Sequence, residues 1–272
     1  MKTAIKAPVT LFVSFALLSA CSNPQSDITP ATSSQPASSV NAQTAAVAKP
    51  GLLIQTTEYY PNTTGGKTVM LNGKEIRLGG GLKNEYGYDT QKRLTQEKTT
   101  NATWWKQLSY EYTPDLVQRY LDSDRKDYLN TLLLNTSGFL KGNQEAGEYV
   151  YDSEGYLIRY TGNGQQDTYT IKNGNVVAKE TVYNSGLVQK NTYEYDLTKP
   201  SIPSPLTFRG KQTQNLVTKQ TMVSTTGNVA ASEMTVFSFY YDFDQQGRAI
   251  REFIVSSIDP SSPSKVRELV YQ

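Results

Sequence analysis

A degenerate repeat of about 21–23 residues runs through most of the chain and restricts its fold more than any other feature. The signature Tyr-x-Tyr-Asp occurs at 86–89, 149–152 and 193–196, with a near copy at 239–242. Two tyrosines that are two positions apart point to the same face of a strand. Because an aspartate side chain favours turns, each copy is expected to end a strand and to lead into a hairpin.

The residues around the repeat predict an all-β protein. Alternating runs such as 157–160 and 248–253 follow the turns, and Asn72-Gly73 and Asn173-Gly174 are strong signals for two-residue hairpins. A dozen or more short strands that pair with their neighbours along the chain must curl, split or close. We therefore expect a curved antiparallel meander or an incomplete barrel, with tyrosines on one face and Thr, Lys, Glu and Gln on the other.

Residues 114–134 allow a second interpretation, because their apolar residues have partly helical spacing and Thr113-Pro114 suits a helix start. The repeat favours strands instead, because residues 135–140 have the same spacing as residues 152–157.

The N-terminus predicts a secreted, lipid-anchored protein. Lys2 and Lys6 precede a short apolar run, 11–18, which is typical of a signal peptide and too short to span a bilayer. Leu18-Ser19-Ala20-Cys21 resembles the lipobox of bacterial lipoproteins. The resemblance implies cleavage before Cys21, the only cysteine, and acylation of that residue. Several acyl chains would anchor the protein stably, since each buried CH₂ contributes about 0.8 kcal/mol.

Three domains follow from this division: a signal peptide over 1–20, a lipidated Cys21 with a tether over 21–50, and a β domain over 51–272. The tether has no aromatic residue and is rich in Ser, Thr, Ala and Pro, so it is expected to be disordered. Removal of residues 1–20 takes away Lys2 and Lys6, which leaves equal numbers of basic and acidic side chains. A neutral chain gives no electrostatic reason to expect a nucleic-acid partner.

The combination of these features resembles two known groups. Tyr-x-Tyr-Asp-x-x-Gly followed by an apolar strand is similar to the YD repeat of bacterial RHS and wall-associated proteins. Gly247-Arg248 fits the usual Gly-Arg-Leu of that repeat, with two extra residues between Asp242 and Gly247. The lipobox, the tether, the YD-like hairpins, the proline-rich break at 200–205 and the sequence 210–218 together resemble Gram-negative envelope lipoproteins that carry a porin-like β meander of unknown function. The second resemblance covers most of 85–257. It implies a fold and a cell-envelope location at the outer membrane, but no activity.

Trp104-Trp105 is the strongest candidate ligand-binding feature. In a strand, one of these side chains would lie in the core and the other on the outer face, where it could stack on a sugar ring. The alternative is that both are covered. The tyrosines of the repeat are expected to stabilise the sheet by cross-strand pairing rather than to bind a ligand. The irregular segment 197–214 has two open interpretations, a functional loop or a sheet-bridging insertion.

No catalytic or metal-binding motif is present in the sequence. The absence of His excludes Ser-His-Asp and Cys-His catalysis and His-ligated metals. Asp122, Asp124 and Asp127 lack the glycine and glutamate of a calcium loop, as do Asp242 and Asp244, so solvated turns are expected. We predict a non-catalytic envelope lipoprotein without a cofactor, which displays its β domain for binding or scaffolding, with a glycan or an envelope protein as the expected partner. Carbohydrate binding is the alternative, and a glycan hydrolase using two carboxylates is a third hypothesis.

Overall fold

A computed structural model describes residues 51–62, 64–121, 127–143, 147–226 and 233–272. The predicted signal peptide, Cys21 and tether lie outside the described residues, and so do Asp122 and Asp124. Among the described residues no helix has the length and apolar character needed to cross a membrane.

The described residues form 17 strands and one short 3-10 helix, Thr207–Arg209. The strands are β1 (Leu53–Pro61), β2 (Lys67–Leu71), β3 (Lys74–Tyr88), β4 (Leu94–Thr100), β5 (Trp105–Tyr112), β6 (Leu116–Leu121), β7 (Asp127–Leu133), β8 (Gly142–Asn143), β9 (Gly147–Tyr151), β10 (Leu157–Gly162), β11 (Gln165–Lys172), β12 (Asn175–Tyr183), β13 (Leu187–Pro200), β14 (Asn215–Thr226), β15 (Glu233–Phe243), β16 (Ala249–Ser256) and β17 (Asp259–Tyr271). Residues 114–134 thus contain two strands, β6 and β7, and the predicted all-β fold is confirmed.

All strand pairs in the single sheet are antiparallel, and the chain follows a meander. β2 to β7 and β8 to β17 each pair with the next strand, while β1 pairs with both β3 and β17. The first and last strands are therefore neighbours. Between β7 and β8 the ladder is reduced to a bridge between Leu134 and Leu140 and a hydrogen bond from the Lys141 amide to the Leu133 carbonyl, so the sheet is not continuously closed.

Four connections share one turn geometry, which explains the repeat. In each, the side chain of the first residue accepts hydrogen bonds of 2.9–3.0 Å from the amides two and four positions later. The fourth residue has a φ of 63–94°, the left-handed region that favours glycine. The first residues of these turns are Asp89, Asn135, Asp152 and Asp244. The predicted turns at Asp89 and Asp152 are thus present.

Two copies of the repeat differ from the prediction. Asp196 stays within β13, because its carboxylate accepts the Thr198 amide and hydroxyl and the strand continues to Pro200. Asp242 stays within β15 and pairs with Arg251, so Asp244 begins that turn instead. The expectation that both aspartates leave their strands was wrong. The shift to Asp244 also accounts for the two extra residues before Gly247.

Tyrosine hydroxyls at the ends of strands tie neighbouring strands together on the inner face. Each donates to a backbone carbonyl near the start of an adjacent strand, at 2.5–2.8 Å. These four bonds are Tyr88 to Leu53, Tyr112 to Leu94, Tyr195 to Val176, and Tyr271 to Ala249. Burial raises the pKa of Tyr88 and of Tyr271 to about 12. These contacts agree with the expectation that the tyrosines stabilise the sheet.

Residues 201–214 form a segment that folds against the inner side of the sheet. Its Phe208 is buried, packs 6.2 Å from the ring of Tyr110, and accepts the Leu140 amide on its carbonyl. Further along, the Lys211 amide donates to Gly155, and the Gln214 amide donates to Gly174. These hydrogen bonds join the segment to three separate connections between strands. The segment therefore bridges parts of the sheet that are distant in sequence, which agrees with its interpretation as a sheet-bridging insertion.

Candidate functional site

The outer face of β4–β7 is identified by strand register. Ser109 on β5 lies opposite Gln96 on β4 and Tyr120 on β6, and Tyr120 lies opposite Tyr128 on β7. Directly paired residues share a face. The alternate positions on these strands, among them the buried Tyr110, face the core.

Three aromatic side chains, Trp105, Tyr120 and Tyr128, lie on this outer face, and we call them the outer aromatic patch. Trp105 is 56% exposed and Tyr128 is 57% exposed. The rings of Tyr120 and Tyr128 meet edge to face, with centroids 6.1 Å apart and planes at 75°. The patch therefore offers two accessible rings, with the half-buried Tyr120 beside one of them.

Amide and charged groups surround the patch. The single Tyr120 hydroxyl hydrogen has two alternative acceptors, Gln118 Oε1 at 3.1 Å and Glu111 Oε2 at 3.2 Å. Lys98 places its ammonium 5.9 Å from the centroid of the Trp105 ring. Gln107, which is opposite Lys98, is 7% exposed, and its Nε2 has no hydrogen-bond partner within the part of the chain that the structure describes. An unsatisfied buried donor costs about 1–3 kcal/mol, so it needs an explanation.

Exposed aromatic rings bordered by amides suit a ligand that has both an apolar face and hydroxyl groups. Aromatic rings give a large apolar contact area, and the amides supply donors and acceptors at its rim. A sugar ring has this combination of C–H faces and equatorial hydroxyls. The arrangement is therefore chemically capable of binding a carbohydrate.

The structure corrects the expectation for Trp104-Trp105. Trp105 is the first residue of β5, whereas Trp104 precedes the strand and is 46% exposed. Asn101 accepts the Thr103 and Trp104 amides in the turn, so strand alternation does not apply to Trp104. Neither tryptophan is in the core, and they are not both covered. Their role as ligand-binding residues stays a prediction.

Tyr120 and Tyr128 were missed by the sequence analysis. Both come from the segment whose spacing was ambiguous between helix and strand. Their proximity to each other depends on a bulge between Arg119 and Tyr120, which places Tyr120 opposite Tyr128. The position of a bulge cannot be read from a single sequence. The contact between the Tyr120 and Tyr128 rings therefore could not be predicted before the strand register was known.

Two of the acidic residues considered for calcium binding form ion pairs with arginines. Asp242 forms an ion pair of 2.7 Å with Arg251, and Asp244 forms one of 2.7 Å with Arg248. Asp127 begins β7 and is exposed. Across the described ranges, no three His, Cys, Asp or Glu side chains come close enough to share a metal ion.

Buried charges on the inner face also have partners. Asp167 is 3.0 Å from the Lys179 ammonium and accepts the Thr181 hydroxyl at 2.7 Å. Glu252 is 2.8 Å from Arg267 and accepts the Tyr241 hydroxyl at 3.3 Å. Burial, followed by the nearby Glu252 carboxylate, raises the pKa of Tyr241. A buried charge is costly unless it is paired and hydrogen-bonded. Both carboxylates meet this condition, so their burial needs no ligand to explain it.

Comparison with known proteins gives a fold but no family. A porin-like protein from Bacteroides uniformis, one of 16 matching solved chains, has a TM-score of 0.56 and 12% sequence identity. The match covers 82% of this chain and 99% of that chain. No family model and no curated protein matches. The likeness shows a shared β-sheet fold, and the resemblances to envelope lipoproteins and to YD repeats stay predictions.

Proposed function

We propose that this chain is a non-catalytic, lipid-anchored protein of the bacterial cell envelope, held at the outer membrane, that displays its β domain for binding. The observation that carries the proposal is Leu18-Ser19-Ala20-Cys21, in which the only cysteine of the chain stands at the end of a signal-like segment. The sheet fold shared with a porin-like protein supports an envelope location.

Inhibition of the lipoprotein signal peptidase tests the anchor. Globomycin should cause the precursor to accumulate, and Cys21→Ser should release the protein from the membrane fraction. Ser34→Ala, in the predicted tether, is the matched control and should leave membrane association unchanged. Unchanged processing under globomycin, together with membrane retention of Cys21→Ser, would reject lipid anchoring.

A second function, carbohydrate binding, is favoured by the outer aromatic patch. Trp105 and Tyr128 each leave more than half of the side chain in solvent, although both belong to ordered strands. Isolated exposed aromatics are common, but here they lie on one face with the amides of Gln96 and Gln118. A neutral glycan would stack on the rings and form hydrogen bonds with the amides.

Binding to a panel of envelope, host and plant polysaccharides tests this function, with tryptophan fluorescence and pull-down as readouts. Trp105→Ala and Tyr128→Ala should each reduce retention, whereas Tyr240→Ala, a 40%-exposed aromatic on β15, should not. If no polysaccharide binds, the carbohydrate proposal fails and envelope proteins become the partners to search for. Turnover of a bound glycan that is lost on replacement of a single carboxylate would favour the hydrolase hypothesis.

A further inference from the structure

The inner face carries a cleft that is separate from the outer aromatic patch. Its volume is about 550 Å³, and it is lined by inner-face residues of β4–β7 and β9 and by the segment 201–214, which supplies Phe208 and Arg209. Asn163 and Arg209 at its border are exposed, so the cleft is open to solvent. The volume falls within the usual range of about 300–1,000 Å³ for small-molecule sites.

The charges in the cleft favour an anion. Two guanidinium groups, Arg119 and Arg209, and one carboxylate, Glu97, line it. The Arg119 Nε donates to Asn130 Oδ1 at 2.7 Å, which orients the side chain and uses only one of its five N–H donors. Among the ion pairs of the described residues, none includes Arg119 or Arg209. Two guanidinium groups and one carboxylate leave the cleft with one excess positive charge. The Glu97 carboxylate also accepts the hydroxyl of the buried Tyr110 at 3.0 Å.

The uncharged residues of the cleft favour an organic, hydroxylated anion. Phe208 and several leucines form an apolar wall, and the Tyr149 ring, 4.8 Å from that of Tyr160, forms an aromatic one. Asn130 and Asn163 place amides among them. A dianion such as phosphate would exceed the single excess charge and leave the apolar wall without a contact. A monocarboxylate with a sugar-like body matches both the charge and the lining.

We propose that this cleft binds a sugar acid through Arg119 and Arg209. A guanidinium group matches a carboxylate with two parallel N–H donors, which gives geometric specificity as well as affinity. Asn130 and Asn163 then contact ring hydroxyls, and the Tyr149 ring covers one face of the sugar. The site lies on the opposite face from the outer aromatic patch, so it functions whether or not that patch binds a glycan.

Calorimetric titration of the full chain in detergent tests the proposal, with sodium glucuronate and sodium galacturonate as ligands and glucose and inorganic phosphate as comparators. At least one sugar acid should bind saturably, and at least tenfold more tightly than either comparator. Arg119→Gln and Arg209→Gln should each weaken that binding at least tenfold. Arg159→Gln, an exposed arginine on β10 that does not line the cleft, is the matched control and should leave it unchanged.

Three results would overturn the proposal: neither sugar acid binds, glucose or phosphate binds as tightly as the acids, or both arginine variants retain full affinity. Thermal unfolding of each variant separates loss of the site from loss of the fold. Arg209 is exposed, so Arg209→Gln is expected to remain folded even if the half-buried Arg119 proves necessary for stability.

Discussion

Aromatic residues on the two faces of the sheet differ in what they contact. On the inner face, Tyr112 donates to the Leu94 carbonyl at 2.8 Å and packs against the buried Phe208. On the outer face, Trp105 and Tyr128 leave most of their rings in solvent. The inner rings therefore have a structural explanation, whereas the exposed outer rings are the ones that we propose to contact a glycan. A repeat rich in tyrosine thus serves mainly to hold strands together.

Truncation of the inner-face Phe208 gives the largest expected effect. Phe208→Ala removes a ring that fills the space beside Tyr110 and Tyr112, so unfolding should become easier by about 3–5 kcal/mol. Trp105→Ala removes a larger ring from the outer face and should change stability by no more than about 0.5 kcal/mol. Denaturant unfolding measures both, and similar losses would remove the distinction between the faces.

High pH should destabilise the protein through its inner tyrosines. Burial raises the pKa of Tyr88 and Tyr271 to about 12, whereas a tyrosine in an unfolded chain ionises near pH 10. The folded state therefore keeps protons that the unfolded state loses, so this stability is complete below about pH 10 and is lost as the pH rises towards 12. Urea unfolding at pH 8 and pH 11 measures the change, and equal stabilities would contradict the account.

Removal of one hydroxyl from each face is a smaller test. Tyr112→Phe leaves the Leu94 carbonyl without its side-chain donor and should cost about 1 kcal/mol. Tyr128→Phe removes an exposed hydroxyl that lies 2.6 Å from Thr131, and its effect should be smaller. Thermal unfolding of the two variants compares them directly. A larger loss for Tyr128→Phe would reverse the assignment of the faces.

A change at a turn, away from both faces, should have a comparably small effect. Lys92 adopts a φ of 63° at the position where the equivalent turn has Gly247, with a φ of 76°. Lys92→Gly should stabilise the protein by roughly 1 kcal/mol because a side chain is unfavourable in this conformation, and Gly247→Lys should destabilise it. Neither should alter glycan binding. Unfolding midpoints that do not move in opposite directions would refute the equivalence of the two turns.

Much of the fold could be predicted because the repeat combines several local signals. The turns at Asp89 and Asp152 and the hairpins at Asn72-Gly73 and Asn173-Gly174 follow from the conformational preferences of single residues. Asp196 was misassigned because its short-range hydrogen bonds to Thr198 form equally well within an extended strand.

The candidate sites were less predictable because they depend on contacts between distant residues. Phe208 reaches Tyr110 and Leu140 only after the segment 201–214 has crossed the inner face. Trp105 shares a face with Tyr120 and Tyr128 only through the register of three strands. Neither arrangement produces a local sequence pattern. A single sequence does not specify which face a connecting segment covers or which residues lie opposite one another on neighbouring strands.

We propose that the outer-face rings bind a glycan and that the inner-face rings stabilise the sheet. The most direct test measures glycan binding and unfolding in parallel for Trp105→Ala and Tyr112→Phe. Trp105→Ala should weaken retention of a bound polysaccharide at least tenfold, which corresponds to about 1.4 kcal/mol, with little change in stability. Tyr112→Phe should lower stability by about 1 kcal/mol and leave binding unchanged under native conditions. Binding that survives Trp105→Ala, or is lost equally in both variants, would contradict the account.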